Sequence, residues 1–296
     1  MIDPTLAEGN RYARLLARIR REAQLAKVGD PRRIQLVVAI DRLLARLLVS
    51  ASPETWVIKG GFANQLRRPQ DARFTEDIDL RIATTIDQAP QLLADAFAAR
   101  VDDLFNYEIA SGPLPLVGPP GGGARFVVVV RYDGNEFVSF KVDFSAADAV
   151  VGQLDHHLSD PVVERLGFER SSFPVYPVAQ SIAEKLHALT LPREQENTRA
   201  RDLVDLVWFI ERFSVRSDDL IDACEATFAA RDSHPWPPSV DEPPRSWAKP
   251  YERDRRVLGL VPATAPEAVA LVRRFFDPAF SGRRGVSWDP AAGKWT

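Results

Sequence analysis

The chain has 296 residues, 45% hydrophobic, 27% charged and 9% aromatic. That is about two domains at roughly 150 residues each, with enough apolar mass for a core, which excludes fibrous, collagen-like and wholly disordered chains. A net charge of −3, from 38 basic and 41 acidic residues, is not that of a basic nucleic-acid binder. The charge is uneven, however: residues 1–50 carry +5, residues 241–296 carry +3, and the middle carries −11. Two basic ends flank an acidic centre. The single cysteine, Cys224, excludes an internal disulfide framework or a Cys-based zinc cluster and fits a reducing, cytoplasmic setting. The first residues lack the apolar core of a signal peptide, and no run approaches the ~20 residues of a membrane span.

In chain order, residues 5–27 predict an amphipathic helix, with Leu6, Tyr12, Leu15, Leu16 and Ile19 near one stripe. Asp30 reads as an N-cap with Pro31 at the first helical position, opening a helix over 31–50 that is apolar nearly all round. Trp56-Val57-Ile58 is a short strand running into Lys59-Gly60-Gly61, and 62–68 a short helix. Residues 77–82 alternate with period two, a strand signal. A helix over 86–101, a strand near 104–110 and a Pro/Gly loop over 111–123 follow. Strands 124–132 and 136–144 flank Asp133-Gly134-Asn135, a hairpin signal. His156-His157 reads as loop. Beyond about 175 the chain is largely helical (178–190, 199–213, 217–231 and 264–277), interrupted by a Pro- and Trp-rich stretch at 234–247. The organisation is a mixed α/β domain over 1–170 and a helical domain over 171–296.

Asp77-Ile78-Asp79 is the strongest chemical feature. Residues i and i+2 of a strand share a face, and two adjacent carboxylates call for a cation between them, a hard divalent one such as Mg²⁺. By itself an Asp-x-Asp is more often a solvated polar face. Gly60 and Gly61, between a strand and a helix, would let backbone N–H groups approach a phosphate. The Thr75 hydroxyl would face the side of Asp77. Asp143 ends a hairpin strand that would pair beside 77–82 and bring a third carboxylate, completing a two-metal cradle. Further on, Lys185 is one of six lysines, and Asp202 and Asp205 share a helix face at i,i+3. The plain alternatives are a surface ion pair and an ordinary amphipathic helix. Cys224 reads as core, and His187 and His234 as structural.

These pieces together resemble the polymerase-β-like nucleotidyltransferases: Gly-Gly, then Asp-x-Asp, then a third Asp on a following strand. More narrowly they resemble the AbiEii/AbiGii-type toxins of type IV toxin–antitoxin systems, including the MenT group. The matching segments are Lys59-Gly60-Gly61, Arg73-Phe74-Thr75-Glu76-Asp77-Ile78-Asp79, Asp143, Ile182-Ala183-Glu184-Lys185-Leu186-His187-Ala188 and Arg201-Asp202-Leu203-Val204-Asp205-Leu206. The resemblance implies a fold, an α/β (α+β) nucleotidyltransferase domain with a mixed sheet followed by a helical domain. It also implies roles. Asp77, Asp79 and Asp143 would hold metal, with Asp143 also a general base. Lys59, Gly60, Gly61 and Thr75 would line the nucleotide site, and Lys185 would contact the triphosphate. Either Asp202 or Asp205 would belong to the last motif. Many relatives carry Gly-Ser where Gly60-Gly61 stands.

The implied activity is Mg²⁺-dependent transfer of NMP from an NTP, a pyrimidine such as CTP, to the 3′ end of tRNA, which blocks translation and growth. An antitoxin protein is the implied partner, with no membrane involved. The alternatives are the same chemistry on a small molecule or a protein side chain, and a catalytically silent nucleotide-binding module. The paired arginines of the two ends would offer a phosphate-backbone track. Phosphate on Thr75 would place negative charge beside the carboxylates and disable the site.

Overall fold

The computed structural model describes residues 10–27, 29–52, 54–116, 121–146, 150–194 and 196–296. They form two compact units. The first takes the described residues of 1–70, 74–147 and 156–175, the second those of 71–73, 148–155 and 176–296. The main changeover falls after Val175, because the strand ending there belongs to the first unit's sheet.

In the first unit, α1 (Arg11–Leu25) buries Leu15, Ile19 and Ala23, one stripe at i,i+4, and Asn10 caps it by accepting from the Ala13 N–H. The start of the expected helix, Leu6 included, lies outside the described residues. α2 (Arg32–Ser50) is buried on nearly every side, and Asp30 accepts from the Arg32 N–H one residue beyond the expected start. β1 (Trp56–Lys59) leads directly into α3 (Gly60–Arg67). Next come β2 (Asp77–Ile82), α4 (Ala89–Ala98), β3 (Phe105–Leu116), β4 (Gly123–Tyr132), β5 (Asn135–Ser145), β6 (Asp155–Leu158), α5 (Pro161–Arg165) and β7 (Ser172–Val175).

The seven strands form one mixed sheet in the order β3-β4-β5-β2-β1-β7-β6. β3, β4 and β5 are an antiparallel meander; β5 runs parallel to β2, β2 antiparallel to β1, and β1 parallel to β7. Alternation sets the two faces. Ile78, Leu80 and Ile82 of β2 and Phe140, Val142 and Phe144 of β5 join the core with Ile40, Leu43, Leu44 and Leu47 of α2. The odd-numbered positions of β2, and those of β5 from Ser139 on, point the other way; Phe137, at the register shift, is in the core.

Two expectations change here. Residues 111–116 are strand, not loop: β3 continues through them as an edge strand with register shifts between Ile109 and Ser111 and between Ser111 and Leu114. An edge strand tolerates Pro113 and Pro115 because one side of its ladder needs no donors. His156 and His157 lie in β6, at the sheet's other edge, not in a loop.

The second unit holds α6 (Val178–Thr190), α7 (Ala200–Arg212), β8 (Val215–Arg216), α8 (Ser217–Arg231), α9 (Ala248–Leu258), α10 (Ala265–Ser281), β9 (Ser287–Asp289) and β10 (Lys294–Trp295). Its separate core centres on α7, whose residues 202–210 are all buried, and includes Cys224. The three short strands form a small sheet. α9 was hidden in sequence by the proline-rich stretch before it. Among the described residues no helix is long and apolar enough to cross a membrane.

Candidate functional site

Register assembles the first-unit site. Asp79 of β2 lies opposite Asp143 of β5 on one side and Lys59 of β1 on the other. Asp143 in turn lies opposite Arg125 of β4. A single row across four strands thus reads Arg125, Asp143, Asp79, Lys59, on the face away from the core. Asp77 sits two residues before Asp79 on the same face, opposite the exposed Lys141. The three expected carboxylates therefore share one face of adjacent parallel strands, about 4.8 Å apart.

Both glycines are required by close approach. Gly60 takes φ +68°, the left-handed region, where β1 turns into α3. A Cβ on it would overlap the Asp79 carboxylate, 2.8 Å from its Cγ. A Cβ on Gly61 would lie 2.9 Å from Thr75 Cβ and 3.1 Å from its Oγ1. The space a serine side chain would need at 61 is thus filled by Thr75, which brings its own hydroxyl. Thr75 is buried, and that hydroxyl donates to Asp77 Oδ1.

Asp143 differs from its neighbours. Arg125 grips it with a fork: Nε donates to Oδ1 at 2.7 Å and Nη2 to Oδ2 at 2.6 Å. The hydrogen bond to Asp143 is the main cause that raises the guanidinium pKa, and the charges of Asp77 and Asp79 add to it. Sequence reading missed Arg125. Among the described residues, no three His, Cys, Asp or Glu side chains stand arranged as a metal site. Asp77 and Asp79 fit a hard divalent cation by donor chemistry and shared face. Asp143 is in register with them but turned to Arg125.

The second unit carries its own charged cluster. Lys185 Nζ lies 2.9 Å from Asp202 Oδ1 and 2.8 Å from Asp205 Oδ2, so α6 meets both acids of α7. Lys185 engages both aspartates, so its contacts do not single out either one. Burial alone would lower the lysine's pKa, but the charges of Asp205 and Asp202 outweigh it and hold it above its ordinary value. Arg73 Nε adds to Asp205 at 3.7 Å, and Arg199 to Asp202 at 3.6 Å. Glu184 pairs instead with Arg231, at 3.4 Å. His187 is buried and hydrogen-bonded through Nε2 to Ser233 Oγ at 2.8 Å; His234 Nε2 meets Thr190 Oγ1 at 2.9 Å. These bonds tie the segment after α8 to α6.

The paired arginines are largely engaged locally. Arg255 and Arg256 hold Glu252, Arg273 holds Glu242, and Arg284 holds Asp222. Arg67 is buried and donates to Asn64.

Comparison with known structures finds the same architecture in MenT4, a nucleotidyltransferase toxin of Mycobacterium tuberculosis H37Rv. The TM-score is 0.54 and the identity 20%, over 91% of this chain and 99% of that one. JHP933 of Helicobacter pylori matches at TM-score 0.46 and 15% identity, over 86% and 94% of the two chains. No curated protein sequence matches. The model of the AbiEii family, nucleotidyl transferase toxins of type IV toxin–antitoxin systems, matches residues 42–278, which takes in both charged clusters. The chain belongs to the AbiEii nucleotidyltransferase toxin family and is a nucleotidyltransferase.

Proposed function

We propose that this enzyme transfers NMP from an NTP, a pyrimidine such as CTP, to the 3′ end of tRNA with Mg²⁺, and that the product blocks translation and growth until an antitoxin intervenes. The observation that carries the reading is the row of Asp143 and Asp79, with Asp77 on the same face, against the Gly60-Gly61 turn. Family membership sets aside the silent-module alternative.

Asp77 and Asp79 would hold the cation, and Asp143, once released by Arg125, would be its third ligand and the base for the acceptor hydroxyl. When bound, the cation makes the acceptor hydroxyl more acidic and offsets charge on the α-phosphate and the departing pyrophosphate. Thr75 fixes the rotamer of Asp77 through its hydroxyl. Gly60 and Gly61 leave the backbone bare for the phosphates, beside Lys59.

A second reading has a specific observation behind it. Arginines at 255, 256, 273 and 284 are engaged with neighbouring carboxylates, which weakens the case for a long RNA track along the C-terminal part. The same chemistry on a protein side chain or a small molecule needs no such track. One experiment separates the readings: incubate the protein with each α-³²P-labelled NTP, total tRNA and Mg²⁺, and follow the label. Label on tRNA from CTP supports the first reading, and label on protein supports the second. No label on tRNA or protein, with wild type equal to Asp77→Ala, overturns the tRNA and the protein-side-chain readings.

A further inference from the structure

We propose that Arg125 is a resident counter-cation for Asp143, which a divalent cation must displace, so that release of the Arg125 fork and cation binding at Asp143 are one equilibrium. The proposal rests on the metal reading above and adds a residue that sets the affinity of the third ligand. Three carboxylates on one sheet face repel one another unless a positive group stands among them. Arg125 supplies such a charge to Asp143 from the next strand, directly opposite it on the side away from Asp79, while Lys59 lies opposite Asp79.

Geometry and charge set the two occupants in competition. Asp143 is held through both of its oxygens, at 2.7 and 2.6 Å. A cation taking the oxygen edge that the fork holds would have to displace the guanidinium from it. A divalent charge a few ångströms from the guanidinium would also repel it. The side chains differ in freedom: that of Asp143 is 10% exposed and that of Arg125 34% exposed, so it is the arginine that has room to swing out.

The test is Mn²⁺ binding to the full chain without nucleotide, by calorimetry and by electron paramagnetic resonance of free Mn²⁺. Arg125→Gln should bind Mn²⁺ about tenfold more tightly than wild type, the scale of a lost charge-assisted bidentate bond. Arg125→Lys, which keeps the charge but loses the fork, should gain about threefold. It decides the matter if the Gln variant fails a circular-dichroism check of folding. Adding Asp143→Asn to either variant should cancel the gain. The proposal is overturned if both arginine variants bind Mn²⁺ like wild type while Asp77→Asn abolishes binding, a result that leaves the metal reading standing. If neither wild type nor either arginine variant binds Mn²⁺ at millimolar concentration, the metal reading itself falls and this proposal with it.

Discussion

Asp77 and Asp79 lie part-exposed on a strand, two residues apart, whereas Asp202 and Asp205 lie buried on a helix, three residues apart. Both spacings put two acids on one face. The helical pair is closed: Lys185 touches both acids, and Arg73 and Arg199 stand behind them. The strand pair is part-exposed: Thr75 is bonded to Asp77, Gly60 is pressed against Asp79, Lys59 lies opposite Asp79, and Arg125 holds Asp143. A buried charge cluster that balances itself is a structural commitment, and breaking it strands a charge. A part-exposed pair on a sheet face can lose one charge without stranding the other in the core. The two clusters should therefore fail differently when mutated.

The largest effect is expected in the strand cluster. Asp79→Asn should lower transfer activity about a thousandfold, the scale of removing one preorganised charge from an active site, with the thermal midpoint nearly unchanged. Kinetics and melting on the same preparation check this. A large loss of stability would make the strand cluster resemble the helical one and break the contrast.

Lys185→Met should do the reverse in kind, costing on the order of 3 kcal/mol of stability because two buried carboxylates lose their shared partner. Urea denaturation measures it. The double variant Lys185→Met/Asp205→Asn should recover part of the loss. No recovery would mean that the lysine's alkyl stem, not its charge, holds the helices together.

Gly60→Ala sharpens the strand side. The left-handed backbone and the overlap with Asp79 should cost about 1–3 kcal/mol, and the displaced carboxylate should lower activity beyond what the lost stability explains. Gly134→Ala, at a left-handed turn with nothing within 4 Å, is the control that carries the backbone term alone.

The smallest effect concerns His234. Burial holds its pKa below the ordinary 6.5, so the unfolded chain binds that proton more tightly than the folded one. Its contribution is full above pH 6.5 and is lost as pH falls through 6.5 toward the folded value. His234→Gln should flatten the stability profile over that window. An unchanged slope would place the titration elsewhere.

Much of the strand site was legible because strand alternation is simple. The period-two pattern of 77–82 put both aspartates on one face, and the Asp133-Gly134 turn brought Asp143 to the neighbouring strand. Arg125 was not legible, for a reason that can be located. Counting back from the turn pairs Tyr132 with Asn135 and Arg131 with Glu136, and would set Arg125 opposite Val142, on the core face. A register shift between Val130 and Arg131 moves the pairing by one, so that Arg125 meets Asp143. One extra residue in a strand reverses every inward and outward assignment beyond it. In the helical unit, Lys185 and the two aspartates were visible by type and spacing. Arg73 stood out only as the start of the 73–79 segment; its pairing with Asp205 was not legible, since it comes from a three-residue segment, 71–73, that packs with a unit made mostly of much later residues. The strand at 111–116 was obscured by its glycine and prolines, which an edge position tolerates.

The central claim is that the Asp77–Asp79 face performs nucleotidyl transfer. The most direct measurement compares wild type and Asp79→Asn with CTP labelled at the α- or the γ-phosphate, in the presence of tRNA and Mg²⁺. The account predicts that wild type moves the α-label and not the γ-label onto the acceptor, and that a folded Asp79→Asn moves neither. Transfer of the γ-label, or undiminished α-label transfer by Asp79→Asn, would contradict it.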